Sequence, residues 1–220
     1  VKVGFFSFTE ITQPDQHVPY NEWHQLDHIP ENIALAGIAH GQRWVCPPAY
    51  RDARVASEPE LDPIQYVTTY LMTDPIEQTL RDFLDLGAQM DAIGGRFHRF
   101  RKSNLAEPFG LIKSHVSPRV LVHHEVVPYR PHKGIYVTVA DVLDSSQFDE
   151  ITKWLDTTHI PEFTDIDGVA GTLFYTSDIP RLKIGYDLPP HRLITVSYLD
   201  DDPLIVADRM KAHATEASKD

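Results

Sequence analysis

An α+β protein made of two diverged copies of one unit is what this sequence of 220 residues predicts, on three observations. The stretch Trp23-His24-Gln25-Leu26-Asp27-His28-Ile29-Pro30-Glu31 returns as Trp154-Leu155-Asp156-Thr157-Thr158-His159-Ile160-Pro161-Glu162, both reading W-x4-H-I-P-E. Each copy is followed six residues later by a glycine, Gly37 and Gly168, so six identities share one offset of 131 residues. A second echo, Tyr70-Leu71-x-x-Asp74-Pro75 and Tyr198-Leu199-x-x-Asp202-Pro203, recurs at an offset of 128, which implies three residues lost between the blocks. Self-similarity at a fixed spacing is the mark of a repeated unit.

The elements follow in order. Residues 1–9 alternate and predict a strand; Pro14, Asp15 and Pro19 mark a loop. A helix is expected from Asn21, a good N-cap residue, with Trp23, Leu26, Pro30 and Ile33 as its apolar stripe. Proline disrupts a helix interior, so the helix is expected to break near His28 and restart with Pro30 in a first turn, and again at Pro161. Gly37 ends it. Strand 38–46 is expected to place Ile38, His40, Gln42 and Trp44 on one face and Ala39, Gly41, Arg43 and Val45 on the other. Prolines and charges over 47–63 predict an irregular excursion; 65–72, rich in Tyr, Val and Thr, is the third strand. Ile76, Leu80, Phe83, Leu84 and Gly87 carry the period of an amphipathic helix, and a fourth strand is expected from Arg96 to Lys102.

The second copy reads as strand 135–142, helix 146–163, strands 169–176 and 192–199, and helix 203–217. It lacks a fourth strand, which the apolar run 119–127 is expected to supply. The domains are therefore 1–102, a linker 103–134 carrying that strand, and 135–220. Each unit has the β-α-β-β-α order called ferredoxin-like. An uncovered sheet face must be buried, so the copies are expected to pack sheet to sheet, with Trp23 and Trp154 as buried anchors.

Composition narrows the function classes. The formal charge of −12 argues against a nucleic-acid partner, which needs a basic surface. No apolar run approaches the roughly 20 residues that cross a membrane, and the N-terminus reads as a strand rather than a signal peptide. One cysteine, Cys46, excludes an internal disulfide and fits the cytoplasm. No G-x-G-x-x-G follows a strand and no G-x4-G-K-[ST] occurs. The sequence calls for no cofactor.

The block W-x4-H-I-P-E-x5-G inside a β-α-β-β-α unit resembles the dimeric α+β barrel superfamily. That group includes EthD-like proteins, muconolactone-type isomerases, polyketide cyclases, cofactor-free quinone-forming monooxygenases and some haem-handling proteins. The resemblance implies a tandem version in which the two units form an intramolecular pseudo-dimeric α+β barrel. It carries little about activity, because function lies in sites rather than folds.

His28 and His159 occupy the motif histidine of that superfamily, which in many relatives lies near a pocket between helix and sheet. The first copy is the more polar: His24, Asp27, His40 and Arg43 stand where the second has Leu155, Thr158, Gly171 and Phe174. His24, His28 and His40 are thus the catalytic candidates, since histidine moves protons near neutral pH. Trp23, Arg43, Trp44, Tyr66 and Tyr70 are the substrate-binding candidates; His159 and Tyr198 are the second-copy equivalents. His24 and His28 also match half of a zinc site, but no metal is assigned. The expected function is cofactor-independent proton-transfer chemistry (isomerisation, cyclisation, dehydration or decarboxylation) on a small apolar organic acid, lactone or aromatic compound, as a lyase or isomerase. The alternatives are a cofactor-free or haem-dependent monooxygenase and a non-catalytic small-molecule-binding or stress-response protein. The partner is a small molecule, with further association of chains left open.

Overall fold

The computed structural model of the chain describes residues 1–94, 98–178 and 189–217, with side chains through residue 215. It is an α+β protein that divides into two compact units, Val1–Gly110 and Leu111–Asp178 with Pro189–Asp220.

In the first unit, β1 (Val3–Ile11) lies between β3 (Tyr66–Met72) and β4 (Arg101–Val116), and β2 (Ile38–Val45) flanks β3, all antiparallel. One helical run joins β1 to β2: α1 (His17–Trp23), a π-helical segment (His24–His28) and α2 (Ile29–Ile33). A short α3 (Pro48–Asp52) stands in the excursion after β2, and α4 (Ile76–Ala92) follows β3. Val3, Phe5, Ile38, Tyr70, Met72, Leu80 and Phe83 form the core between sheet and helices.

In the second unit, β7 (Arg192–Leu199) lies between β5 (Gly134–Asp141) and β6 (Val169–Thr176). The run from β5 to β6 repeats the earlier one: α5 (Phe148–Trp154), a π-helical segment (Leu155–His159) and α6 (Ile160–Asp165); α7 (Pro203–Ala217) follows β7.

Several expectations need correction. The fourth strand was placed at 96–102. Residues 96 and 97 lie outside the described residues, and β4 begins at Arg101 and runs to Val116, so residues 103–116 are strand rather than linker. The run 119–127 is not a strand: between Pro118 and Pro128, which cannot donate to a ladder, the chain turns and forms a 3-10 helix, His124–Tyr129. That helix lays Val127, fully buried, against β6. Within the second unit, the chain at the end of β4 lies beside β6, where Ser117 N donates to the Ala170 carbonyl at 2.9 Å.

The first helix starts at His17, four residues before Asn21, and does not break at His28. The π-segment absorbs the irregularity instead. Its wider i→i+5 turn shifts the stripe, so Tyr20, His24, His28 and Asn32, every fourth residue, are buried together with Ile29, while Leu26 and Ile33 face solvent at 66% and 45% exposure. Trp154 is 49% exposed and Trp23 half-buried, so they are not the buried anchors expected.

A bulge at Ala39 also reverses the predicted face of β2. Ile38 pairs with Met72, but His40 pairs with Leu71, so Ala39 is the extra residue. A Cβ on Gly41 would strike Ile33 and Tyr70, which puts Gly41 and Arg43 on the helix side. His40, Gln42 and Trp44 point the other way. The same bulge recurs between Val169 and Gly171. With Val3 and Phe5 opposite Met72 and Tyr70, and Gly134 and Tyr136 opposite Leu199 and Ser197, the register matches Tyr70 to Ser197 rather than to Tyr198.

Candidate functional site

The helix-facing side of the first unit's sheet gathers an uncommon set of buried polar groups. Alternation along β3 points Tyr66, Thr68 and Tyr70 towards the α1–π–α2 run. That run turns Tyr20, His24, His28 and Asn32 onto them. β1 contributes Ser7 and Thr9, β2 contributes Arg43, and β4 contributes Arg101, whose Nη2 donates to Ser7 Oγ at 3.2 Å.

His24 is the centre. It is 2% exposed. Its Nε2 reaches Thr68 Oγ1 at 3.4 Å, the long limit of a hydrogen bond, and its Nδ1 finds no partner outside its own residue. Its ring packs against Tyr20 at 5.3 Å, His28 at 5.1 Å and Trp23 at 5.7 Å between centroids. Burial, reinforced by the guanidinium groups of Arg43 and Arg101, lowers its pKa to about 3. His24 is therefore a neutral imidazole across the physiological range. In the tautomer whose Nε2 proton is donated to Thr68, Nδ1 is the basic nitrogen.

Arg43 lies over the rings of Tyr66 and Tyr20, with its guanidinium carbon 5.2 Å and 5.5 Å from their centroids. Its Nη1 is buried without a hydrogen-bond partner, and among the described residues no carboxylate forms an ion pair with it. Tyr20, fully buried, has its phenol pKa raised by burial, which outweighs the opposing pull of Arg101, Arg43 and the Thr9 hydroxyl. At the rim, Tyr66 Oη bonds His17 Nδ1 at 2.7 Å and accepts from Asn21 at 3.3 Å. Deeper, Asn32 Nδ2 donates to the His28 carbonyl at 2.7 Å and to Tyr70 Oη at 3.2 Å, tying helix to sheet. His98 closes the side, edge-on to Tyr20 at 5.9 Å.

The structure brings together six of the residues singled out from the sequence: Trp23, His24, His28, Arg43, Tyr66 and Tyr70. It does not bring His40 or Trp44 to them. The Ala39 bulge turns both to the opposite face, where His40 Nε2 bonds Gln42 Oε1 at 3.2 Å. His159 is exposed and stacks on Trp154. Tyr198 lies on the face of its sheet away from the helices, 4.9 Å from His132, and burial raises its phenol pKa. Sequence reasoning missed Tyr20, Asn32, Thr68 and Arg101. The spacing of four from Tyr20 to Asn32 was legible, but only as a π-helical stripe.

Among the described residues, no group of three or more His, Cys, Asp and Glu side chains is placed to hold a metal ion, and no helix is long and apolar enough to cross a membrane.

No protein-family model and no curated protein sequence matches the chain. Solved structures do. A candidate monooxygenase of Fusobacterium nucleatum subsp. nucleatum aligns with 98% of this chain and 81% of its own at a TM-score of 0.55 and 9% identity. A candidate monooxygenase of Lactobacillus acidophilus NCFM aligns with 96% and 81% at a TM-score of 0.49 and 8% identity. At such identity the likeness is one of architecture, and the chain shares its α+β fold with the Fusobacterium protein.

Proposed function

We propose that the chain is an enzyme acting on a small organic molecule at the polar cluster of the first unit, and that it is an oxygenase whose substrate itself reduces dioxygen. The observation that carries this reading is His24: buried, neutral, its Nδ1 without a partner beyond its own residue, beside Arg43 and Arg101. The monooxygenase designation of the structural neighbour supports the choice of oxygen chemistry over the isomerase or lyase chemistry expected from sequence.

The step is concrete. His24 Nδ1 takes a proton from an activated methylene of a phenolic or enolisable substrate. Arg43 holds the resulting oxyanion, which Tyr66 orients at the rim; preorganised charge of this kind stabilises such anions strongly. The same anion offsets the arginines' effect on His24 and makes its ring a better base, so deprotonation is coupled to binding. The anion then gives one electron to dioxygen, and the radical pair combines to a peroxide anion, which takes the first proton back from His24 to become a hydroperoxide. His24, neutral again, removes the remaining C–H proton as the O–O bond cleaves to leave a carbonyl, and the departing hydroxide takes that proton from His24 and leaves as water. One methylene and one dioxygen thus become one carbonyl and one water, with dioxygen as the only oxidant.

The chain further reads as a tandem member of the dimeric α+β barrel superfamily. The repeated element order, the two π-segments and the two bulges support the duplication.

An oxygen electrode with anthrone-type and quinol substrates tests the function. Uptake of one dioxygen per carbonyl formed, abolished in His24→Leu, is the expected result. Conversion that proceeds equally without oxygen overturns the oxygenase reading in favour of the proton-transfer enzyme.

A further inference from the structure

We propose that the second unit holds a binding site for a neutral, apolar, ring-sized organic molecule, in the cavity between α5 and strands β5 and β7. This goes beyond the chemistry assigned to the first unit and does not depend on it. The cavity measures about 420 Å³ and is walled chiefly by Ala140, Val142, Ile151, Trp154, Leu155 and Leu193. Pockets for small organic ligands run from roughly 300 to 1,000 Å³ and are mostly apolar.

Its position explains its origin. By strand register and helix offset, Ala140, Ile151, Leu155 and Leu193 stand where the first unit has Thr9, Tyr20, His24 and Tyr66. The first unit fills this place with large aromatic and polar side chains. The second substitutes smaller apolar ones, and space remains.

The border chooses the ligand. Asp141 at the mouth is held by Arg192 at 2.6 and 2.8 Å, and Asp144 accepts from the backbone and hydroxyl of Ser146; these donors keep both carboxyls below their ordinary range. Two ionised carboxylates repel an anion, and among the described residues the guanidinium of Arg192 is engaged by Asp141. Thr138 and Thr195 satisfy each other at 2.5 Å inside the cavity. Trp154 and Leu143, 49% and 96% exposed, leave apolar surface in water at the opening. A ring seated there covers it, which is favourable.

The experiment uses the full chain labelled with 5-fluorotryptophan, whose three tryptophans give three fluorine resonances, with Trp154→Phe identifying one. Titration with 2-naphthol at neutral pH is expected to shift the Trp154 resonance saturably. The anionic 2-naphthoate should bind at least tenfold more weakly. Ala140→Phe and, independently, Leu193→Phe fill the cavity and should each weaken naphthol at least tenfold. The proposal is overturned if naphthol moves the Trp23 resonance instead, if no saturable shift of Trp154 appears, or if naphthoate binds as well. Undiminished affinity in either filled variant, with the circular dichroism of the parent, overturns it too. No turnover is needed, so the result is independent of whether the chain is an oxygenase.

Discussion

The imidazole of His28 lies stacked on the indole of Trp23, ring centroids 4.7 Å apart and planes 24° from parallel. His159 and Trp154 repeat the arrangement at 4.7 Å and 19°. In an ordinary α-helix, residues five apart do not face each other. The i→i+5 turn of a π-segment brings them one above the other. The second pair keeps the stack at an exposed position with none of the polar surroundings. The stack is therefore a property of the turn.

Proton transfer is expected to fail when His24 becomes leucine, the residue that the second unit carries at this place. Removing a general base typically costs about 10²–10⁴-fold in turnover. Leucine removes the Nδ1 that has no partner beyond its own residue but also takes from Thr68 Oγ1 its long bond to His24, so the melting temperature should change little. Steady-state kinetics at saturating substrate beside a thermal melt checks both. A catalytic loss no greater than that of His28→Leu would move the chemistry off His24.

Acid should destabilise the wild type more than His24→Leu. The folded-state pKa of His24 is depressed from 6.5 to about 3. Between these values the unfolded chain binds the extra proton, so stability is full above pH 6.5 and falls as pH drops through the window. The group contributes up to about 1.4 kcal/mol per pH unit there. His98 and His115, whose pKa values burial also lowers, act in the same direction. Urea unfolding at pH 4.5, 5.5 and 7 in both proteins isolates the His24 share as the difference in slope.

Arg43→Gln should make His24 more basic. Burial is the larger cause of its low pKa and Arg43 the next, so the value should rise in the variant yet stay below the ordinary histidine range. Following the ring C–H resonances by NMR against pH reads this directly. An unchanged titration would mean that the guanidinium exerts no field at the ring.

Trp154→Ala should cost little. Truncating a fully buried large aromatic loses roughly 3–5 kcal/mol, but Trp154 is half in water. Trp23, packed against Tyr20, His24, His28 and His98, should lose more. Chemical denaturation of both variants ranks them, and a larger loss for Trp154 would contradict the packing described.

The order of elements was legible because alternation and the helical stripe report the face that each residue buries. The Tyr, Val and Thr of β3 and the stripe Ile76, Leu80 and Phe83 of α4 fell where expected. What escaped was one-residue irregularity. Ala39 sits in an ordinary strand pattern, yet as a bulge it exchanges His40 for Arg43 at the site. The π-segment moved Leu26 out and Tyr20 in. Part of the positive field at His24 comes from Arg101, which strand pairing rather than sequence proximity delivers.

On the duplication proposed here, the irregularities also date themselves. A wide turn and a bulge found at matching places in both halves were present in the single ancestral unit. The contrast of Tyr20, His24 and Arg43 with Ile151, Leu155 and Phe174 arose after the halves parted. The scaffold for the chemistry is thus older than the division of labour. On the roles proposed for the two halves, point substitutions on one shared scaffold suffice to divide reaction from guest binding.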